Sequence, residues 1–314
     1  MALTFEAWFD PLRTEYLETF IPQGGGAVRF AVTAEPNVPI LKDRLVAAGR
    51  EAGLHVVELD TATTKLHMLH TAFFAISASL DWNRLIQARL ETLVADAGYV
   101  WPRPGHSESL SAIAAHNGIT PVLLRTTMQK QFTSAVWNDA RLAQDFRKAV
   151  MGLLDAHLTD DENGFASVIL DWLRGDLRQL WLLRSIQVAS KINRQNARAM
   201  LISLCHWLRA CGQPGLLVLL DLRQMLLDRR ELAGGIVYTP AAVMDCYEVI
   251  RQIIDDAEHF EGMLLIALSG PRLVNDEVPK RRLPTYTALN MRVWDDVRPS
   301  GRDNPLAPLV LIES

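Results

Sequence analysis

The stretch that most constrains the fold is a short apolar run between a Gly/Pro break and an aspartate. The chain reads Gly212-Gln213-Pro214-Gly215, then Leu216-Leu217-Val218-Leu219-Leu220, and then Asp221. An unbroken apolar run of this length is typical of a central strand in a parallel sheet, buried on both faces. Open α/β sheets place their ligand crevice at the carboxyl ends of such strands. Asp221 therefore predicts a site at this edge of an α/β fold.

A second run of the same kind lies downstream and strengthens the prediction of a parallel sheet. Residues 263–268 are apolar, follow Gly262, and end at the polar Ser269. The segment between the two runs predicts a helix that begins near Thr239 and Pro240, a capping residue followed by a first-turn proline. Two buried strands joined by a helix favour a parallel pairing.

The first strand–helix–strand unit spans residues 23–60 and follows a glycine-rich turn. Gly24-Gly25-Gly26 precede a strand over 27–32, and a second strand over 54–59 ends in Asp60. A phosphate-binding loop needs its glycines after the strand, where backbone N–H groups and the next helix N-terminus converge on the anion. These glycines therefore do not predict such a loop.

The residues after this first strand also lack phosphate-binding chemistry. If Thr33 is set at the first glycine of G-x-x-x-x-G-K-[ST], Val38 falls on the second glycine, Pro39 on the lysine and Ile40 on the hydroxyl residue. Val38 adds a Cβ where backbone must approach phosphate. Pro39 removes an N–H and the ammonium, and Ile40 removes the magnesium ligand. Glu35 adds negative charge where phosphates would lie.

Lys42 is the cation nearest to this loop. It lies inside the predicted helix, where its side chain either reaches an anion or remains a solvated surface lysine. The sequence leaves both readings open.

The chain divides into four predicted parts. Residues 1–22 form an amphipathic helix with an aromatic stripe, 23–60 the first βαβ unit, 61–190 a helical insertion, and 191–314 the second part of the sheet domain. The members of the aromatic stripe recur at three- and four-residue steps: Phe5, Trp8, Phe9, Leu12, Tyr16 and Phe20.

Charge and cysteine content set broad limits on the function. The net charge of −4 gives no general attraction to nucleic acid or anionic membranes, so such a contact would need a local patch. No apolar run reaches membrane-spanning length, and the N-terminus lacks a signal-peptide layout. The three cysteines have no metal-type spacing and are predicted to be buried thiols, with no metal site. These features predict a cytoplasmic protein.

Residues of the last third resemble a known family. The helix and strand over 193–221, the strand leading to Pro271, the pattern Tyr286-x-x-Leu289-x-x-Arg292 and a closing strand near 309–312 resemble the ATP-binding proteins of BREX-type phage-defence systems. These are relatives of the origin-recognition group of AAA+ ATPases. The resemblance implies a P-loop NTPase/AAA+-like three-layer parallel sheet with a large helical insertion and an N-terminal helix.

The same resemblance assigns roles to individual residues. Asp221 matches the magnesium-coordinating aspartate, Leu222 replaces the usual glutamate, Ser269 falls at the polar sensor position, and Arg292 matches an arginine of the terminal helix. Phosphoryl transfer depends on positioning and charge neutralisation, so loss of the lysine, the hydroxyl and the glutamate should abolish it. The predicted remnant of a nucleotide site comprises Thr33, Ala34, Val38, Pro39, Ile40, Lys42, Asp221, Ser269 and Arg292.

The resulting prediction is a pseudo-ATPase that acts as a scaffold or regulator in a prokaryotic antiviral defence complex. Its partners would be other subunits, and Lys280-Arg281-Arg282 is a candidate contact for a partner or for weak, salt-sensitive DNA binding. No cofactor is predicted, with ATP and magnesium left open. One alternative is a working ATP-binding switch with an unusual phosphate loop, and another is an interaction module without any ligand. Asp221, Ser269 and Arg292 then serve as a turn cap, a loop start and a helix-face ion pair.

Overall fold

A computed structural model describes residues 3–102, 109–159, 164–294 and 304–313 of the 314-residue chain. These ranges contain a parallel sheet of five strands: β1 (Ala27–Val32), β2 (His55–Asp60), β3 (Leu216–Asp221), β4 (Met263–Ser269) and β5 (Leu309–Leu311). Their order across the sheet is β2-β3-β4-β1-β5. All four neighbouring pairs are parallel. The predicted α/β, P-loop-like class is therefore confirmed.

Helices connect and cover these strands. The α-helices of the described residues are α1 (Phe5–Pro11), α2 (Val38–Glu51), α3 (Leu69–Ser79), α4 (Trp82–Asp96), α5 (Leu110–His116), α6 (Pro121–Phe132), α7 (Gln144–Leu158), α8 (Phe165–Arg174), α9 (Ala197–Ala210), α10 (Arg223–Leu226), α11 (Pro240–Asp255) and α12 (Thr287–Val293). Leu12–Phe20 and Thr133–Trp137 are π-helical. Short 3₁₀-helices include Glu35–Asn37 and Leu180–Ile186.

The two apolar runs form the centre of the sheet. Every residue of β3 and β4 is buried, as expected for strands covered on both faces. Their register pairs Leu217 with Leu264 and Asp221 with Leu268, so the polar ends of both strands reach the same edge. The sequence pattern therefore predicted both strands and their direction correctly.

One face of the sheet packs against the N-terminal helices and α2. Trp8 and Leu12 are buried there beside Leu45 of α2 and Ile266 of β4. The π-helical turn after α1 alters the predicted stripe, because Leu17 is buried whereas Phe20 is 43% exposed. Leu3 adds an isolated parallel bridge to Ile312, next to β5.

The chain divides into two compact units: Met1–Ala75 with Gln213–Ser314, and Ile76–Gly212. The first unit carries the whole sheet, and the second carries α4 to α9. The predicted boundaries were at 60/61 and 190/191, and both boundaries of the structure lie further along the chain. Thr61 still belongs to the sheet unit, where its hydroxyl donates a hydrogen bond to the Asp221 carbonyl oxygen of β3, and α9 belongs to the helical unit. No helix within the described ranges is long and apolar enough to cross a membrane.

Candidate functional site

The carboxyl edge of the sheet brings together three of the predicted site residues. Thr33, which follows β1, donates its backbone N–H to the carbonyl oxygen of Ser269 at 3.1 Å. Leu222, which follows Asp221, donates to the carbonyl oxygen of Leu268 at 2.9 Å. Thr33, Asp221 and Ser269 are all buried. The parallel register thus places the ends of β1, β3 and β4 side by side.

The carboxylate of Asp221 is held by Arg223. Arg223 Nε lies 3.0 and 3.1 Å from the two carboxylate oxygens, and Nη2 donates to Oδ2 at 2.6 Å. The backbone N–H of Arg223 also donates to Oδ1 at 3.0 Å, which is the turn cap left open by the sequence. The hydrogen bond to Asp221 raises the pKa of Arg223 above its usual value, so the guanidinium stays charged. Both oxygens of this buried carboxylate are therefore occupied from within the chain.

A second carboxylate lies beside this pair. Glu35 Oε2 is 3.9 Å from Arg223 Nη1, which also donates to the Glu35 carbonyl oxygen at 3.4 Å. The Glu35 side chain also covers Gly270, because a Cβ added at Gly270 would lie 1.9 Å from Glu35 Oε1. Glu35 thus places a carboxylate between the ends of β1 and β4.

The loop that leads into α2 offers little to an anion. Val38 is fully buried, whereas Ile40 is 60% exposed and Pro39 lies at the solvent-facing start of the helix. Ala34 precedes the Glu35–Asn37 turn, and Asn37 makes no side-chain capping bond to the helix. Pro39 and Ile40, which the sequence comparison sets at the lysine and hydroxyl positions of a phosphate loop, carry neither group.

Lys42 is engaged with β2. Its Nζ lies 2.9 Å from Glu58 Oε2. This hydrogen bond raises the pKa of Lys42, which keeps the ammonium charged. The nearest cation of the predicted loop is therefore paired along the flank of the sheet.

Ser269 lies at the carboxyl edge of the sheet, whereas Arg292 lies away from it. Ser269 Oγ is buried and has no hydrogen-bond partner among the described residues. Arg292 of α12 forms an ion pair with Asp255, the last residue of α11, and donates to the Ala288 carbonyl oxygen at 2.6 Å. Because α11 leads towards the start of β4, Asp255 and Arg292 lie towards the opposite edge from Asp221. The structure therefore does not bring Arg292 to the other site residues.

The basic run Lys280-Arg281-Arg282 lies between β4 and α12, and two of its three side chains contact other parts of the protein. Arg281 is buried and donates to the carbonyl oxygens of Met225 and Tyr238 at 3.2 and 2.8 Å. Arg282 forms an ion pair with Asp276, whereas Lys280 is exposed. The proposed DNA contact at these three residues stays a prediction, for which Lys280 alone presents an exposed charge.

Arg223 is a site residue that was not among those predicted from the sequence. The signal was present, since an arginine two residues after a strand-terminal aspartate can fold back onto it when the intervening residue turns inward. Leu222 is fully buried here, and this turn aims Arg223 at Asp221. No group of three or more His, Cys, Asp or Glu side chains in the described residues has a geometry that would hold a metal ion.

The comparisons with known proteins gave one match. The model of a family described as BREX system ATP-binding protein BrxC/D matches residues 123–314. No curated protein and no solved structure matches the chain at a significant level. The matched part contains β3, β4 and β5 with Asp221 and Ser269, and it begins after β1 and the loop that follows it.

Proposed function

The chain belongs to the family of BREX system ATP-binding proteins BrxC/D, and we propose that it is a catalytically degenerate ATPase-like subunit that acts as a scaffold or regulator in a phage-defence complex. The observation that carries the proposal is the contact of Arg223 with both carboxylate oxygens of Asp221. A magnesium ion needs free carboxylate oxygens, so it would have to displace this guanidinium first.

The loop after β1 supports the same conclusion. Phosphoryl transfer relies on cations and backbone donors aimed at the phosphates. Here Pro39 and Ile40 stand at the lysine and hydroxyl positions, and the Glu35 carboxylate would repel an incoming phosphate. The family match covers residues 123–314 and does not include this loop.

A second candidate function is an ATP-binding switch. Arg223 is held from its own loop and its side chain is 30% exposed, so it can turn towards solvent without unfolding the sheet. In that state Asp221 would become available to a cation. A partner subunit would then have to supply the missing phosphate-binding lysine.

We further propose that the protein acts together with partner subunits. Membership of a BREX family favours assembly with other defence subunits. We also propose that the protein associates with DNA. Lys280 is the exposed residue of the basic run Lys280-Arg281-Arg282.

Calorimetric titration with ATP and magnesium tests the loss of nucleotide chemistry. We expect no binding tighter than a Kd of ~1 mM for the wild type or for the isosteric variant Asp221→Asn. Asp255→Asn is the matched control, because it removes a paired carboxylate from the opposite edge. Micromolar binding by the wild type, lost in Asp221→Asn and retained in Asp255→Asn, would overturn the proposal in favour of the switch.

A phosphate-release assay on the same proteins addresses hydrolysis directly. If the protein is catalytically degenerate, the wild type should release phosphate from ATP at the same rate as Asp221→Asn. A wild-type rate that falls in Asp221→Asn alone would identify a working ATPase.

A further inference from the structure

The helical unit contains a segment with a charge opposite to that of the whole chain. Residues 174–198, here called the basic segment, contain a single acidic residue, Asp176, whereas the chain as a whole has a net charge of −4. Its cations are Arg174, Arg178, Arg184, Lys191, Arg194 and Arg198. Such an asymmetry within an acidic protein is typical of a local surface for an anionic partner.

Most of these cations reach solvent. Arg178, Arg184, Lys191, Arg194 and Arg198 are all exposed. Within the described ranges, no ion pair engages the side chains of Arg178, Arg184 or Lys191. This differs from Arg281, which donates to the Tyr238 carbonyl oxygen, and from Arg282, which forms an ion pair with Asp276.

The basic segment also contains a large exposed aromatic side chain. Trp181 is 68% exposed. It lies in the 3₁₀-helix Leu180–Ile186, where residues three apart share one face, so Trp181 and Arg184 project from the same side. Leu183 of the same helix is fully buried, which fixes the orientation of that turn. The indole is therefore presented outward on the same side as a guanidinium that has no ion pair among the described residues.

The backbone of the basic segment is held by its neighbours in the helical unit. Trp172 Nε1 donates to the Ser190 carbonyl oxygen at 3.0 Å, and Ser190 Oγ donates to Asp145 Oδ2 at 2.9 Å. Lys148 Nζ donates to the Gln187 carbonyl oxygen at 2.7 Å. A surface fixed in this way loses little conformational entropy when it binds a partner.

Exposed cations in one segment with an exposed aromatic ring match the chemistry of single-stranded nucleic acid. Phosphates need unpaired cations, and an unstacked base needs a flat apolar surface. We propose that the basic segment binds single-stranded DNA, with Arg178, Arg184 and Lys191 contacting phosphates and Trp181 stacking on a base. The inference rests on the DNA association in the proposed function and moves its site from Lys280–Arg282 to the helical unit.

Fluorescence anisotropy with a labelled oligothymidylate tests the proposal on the full-length chain. We expect Arg178→Gln combined with Arg184→Gln to weaken the Kd about tenfold at about 50 mM salt and to lower the slope of log Kd against log salt by ~1.4. Trp181→Ala should weaken binding at least ~5-fold, and Trp181→Phe should restore most of it because stacking survives. Arg125→Gln combined with Lys130→Gln, on α6, is the matched control and should bind like the wild type.

The outcomes separate this inference from the wider proposal. If the wild type does not bind the oligonucleotide, DNA association itself falls. If it binds and Lys280→Gln weakens binding while the variants of the basic segment do not, only the present inference falls. Equal binding of a matched duplex together with an unaffected Trp181→Ala would also overturn it, since a duplex offers no unstacked base. None of these results depends on whether ATP binds.

Discussion

Arg223 holds both carboxylate oxygens of Asp221 from a position only two residues further along the chain, with Nη2 2.6 Å from Oδ2. The aspartate is buried, and the arginine side chain is 30% exposed. The pair therefore places a guanidinium from the following turn against a buried carboxylate at the end of a central strand.

Removing the arginine alone should destabilise the protein. We expect Arg223→Ala to lower the free energy of unfolding by ~1–3 kcal/mol, because it leaves the buried Asp221 carboxylate without its guanidinium. Urea denaturation measures this change. Asp221→Asn combined with Arg223→Gln should cost less than the sum of the single changes. An Arg223→Ala protein as stable as the wild type would mean that the pair contributes nothing.

Two glycines at opposite edges of the sheet should respond differently to the same substitution. A Cβ at Gly26, just before β1, would lie 2.0 Å from the Ala257 carbonyl oxygen, and one at Gly270 would lie 1.9 Å from Glu35 Oε1. Backbone cannot move away, so we expect Gly26→Ala to cost ~2–3 kcal/mol in urea unfolding.

Gly270→Ala is the matched variant. The Glu35 side chain is 48% exposed and can swing into solvent, so its cost should stay within ~0.5 kcal/mol. Equal costs at both positions would contradict this account of the two close contacts.

The central strands could be predicted from the sequence because their signal is local. A run such as Leu216–Asp221 contains its own burial pattern, and its direction follows from the helix that joins it to β4. The prediction that Pro39 stands at a phosphate-loop lysine position likewise rests on the sequence alone.

Other features depend on contacts between distant residues or on small changes in helical geometry. The π-helical turn at Leu12–Phe20 buries Leu17 and exposes Phe20, which a regular helical period does not predict. Arg292 fits a family pattern in sequence, yet its partner is Asp255, chosen by the packing of α12 on α11. The direction of the Arg223 side chain could likewise be known only from the folded structure.

Glu248 should make stability depend on acid. Arg251 Nε and Nη2 donate to its two oxygens, both at 2.7 Å, and this lowers the pKa of Glu248 from 4.5 to about 2. Because the folded state holds the charge to lower pH, its stabilisation is complete above about 4.5 and disappears as pH falls through about 2. Glu248→Gln should therefore lose less stability than the wild type over that interval.

Urea midpoints measured at a series of pH values between neutrality and the onset of acid unfolding provide the test. Glu51→Gln is the control, since Glu51 is an exposed carboxylate of α2 with no ion pair in the described residues. Parallel pH curves for the wild type and Glu248→Gln would show that this carboxylate is not coupled to folding.

The thiols should be inert in the folded protein. Cys205, Cys211 and Cys246 are all buried, and burial raises the pKa of Cys246 to about 12 and that of Cys211 further above its usual value. Since the thiolate is the reactive form, a thiol reagent at about pH 8 should modify none of them in the native state and all three in denaturant. Ser185→Cys places a thiol at an exposed position of the helical unit and should react at once. A native thiol that reacts as fast as that reference would contradict the packing around α9 and α11.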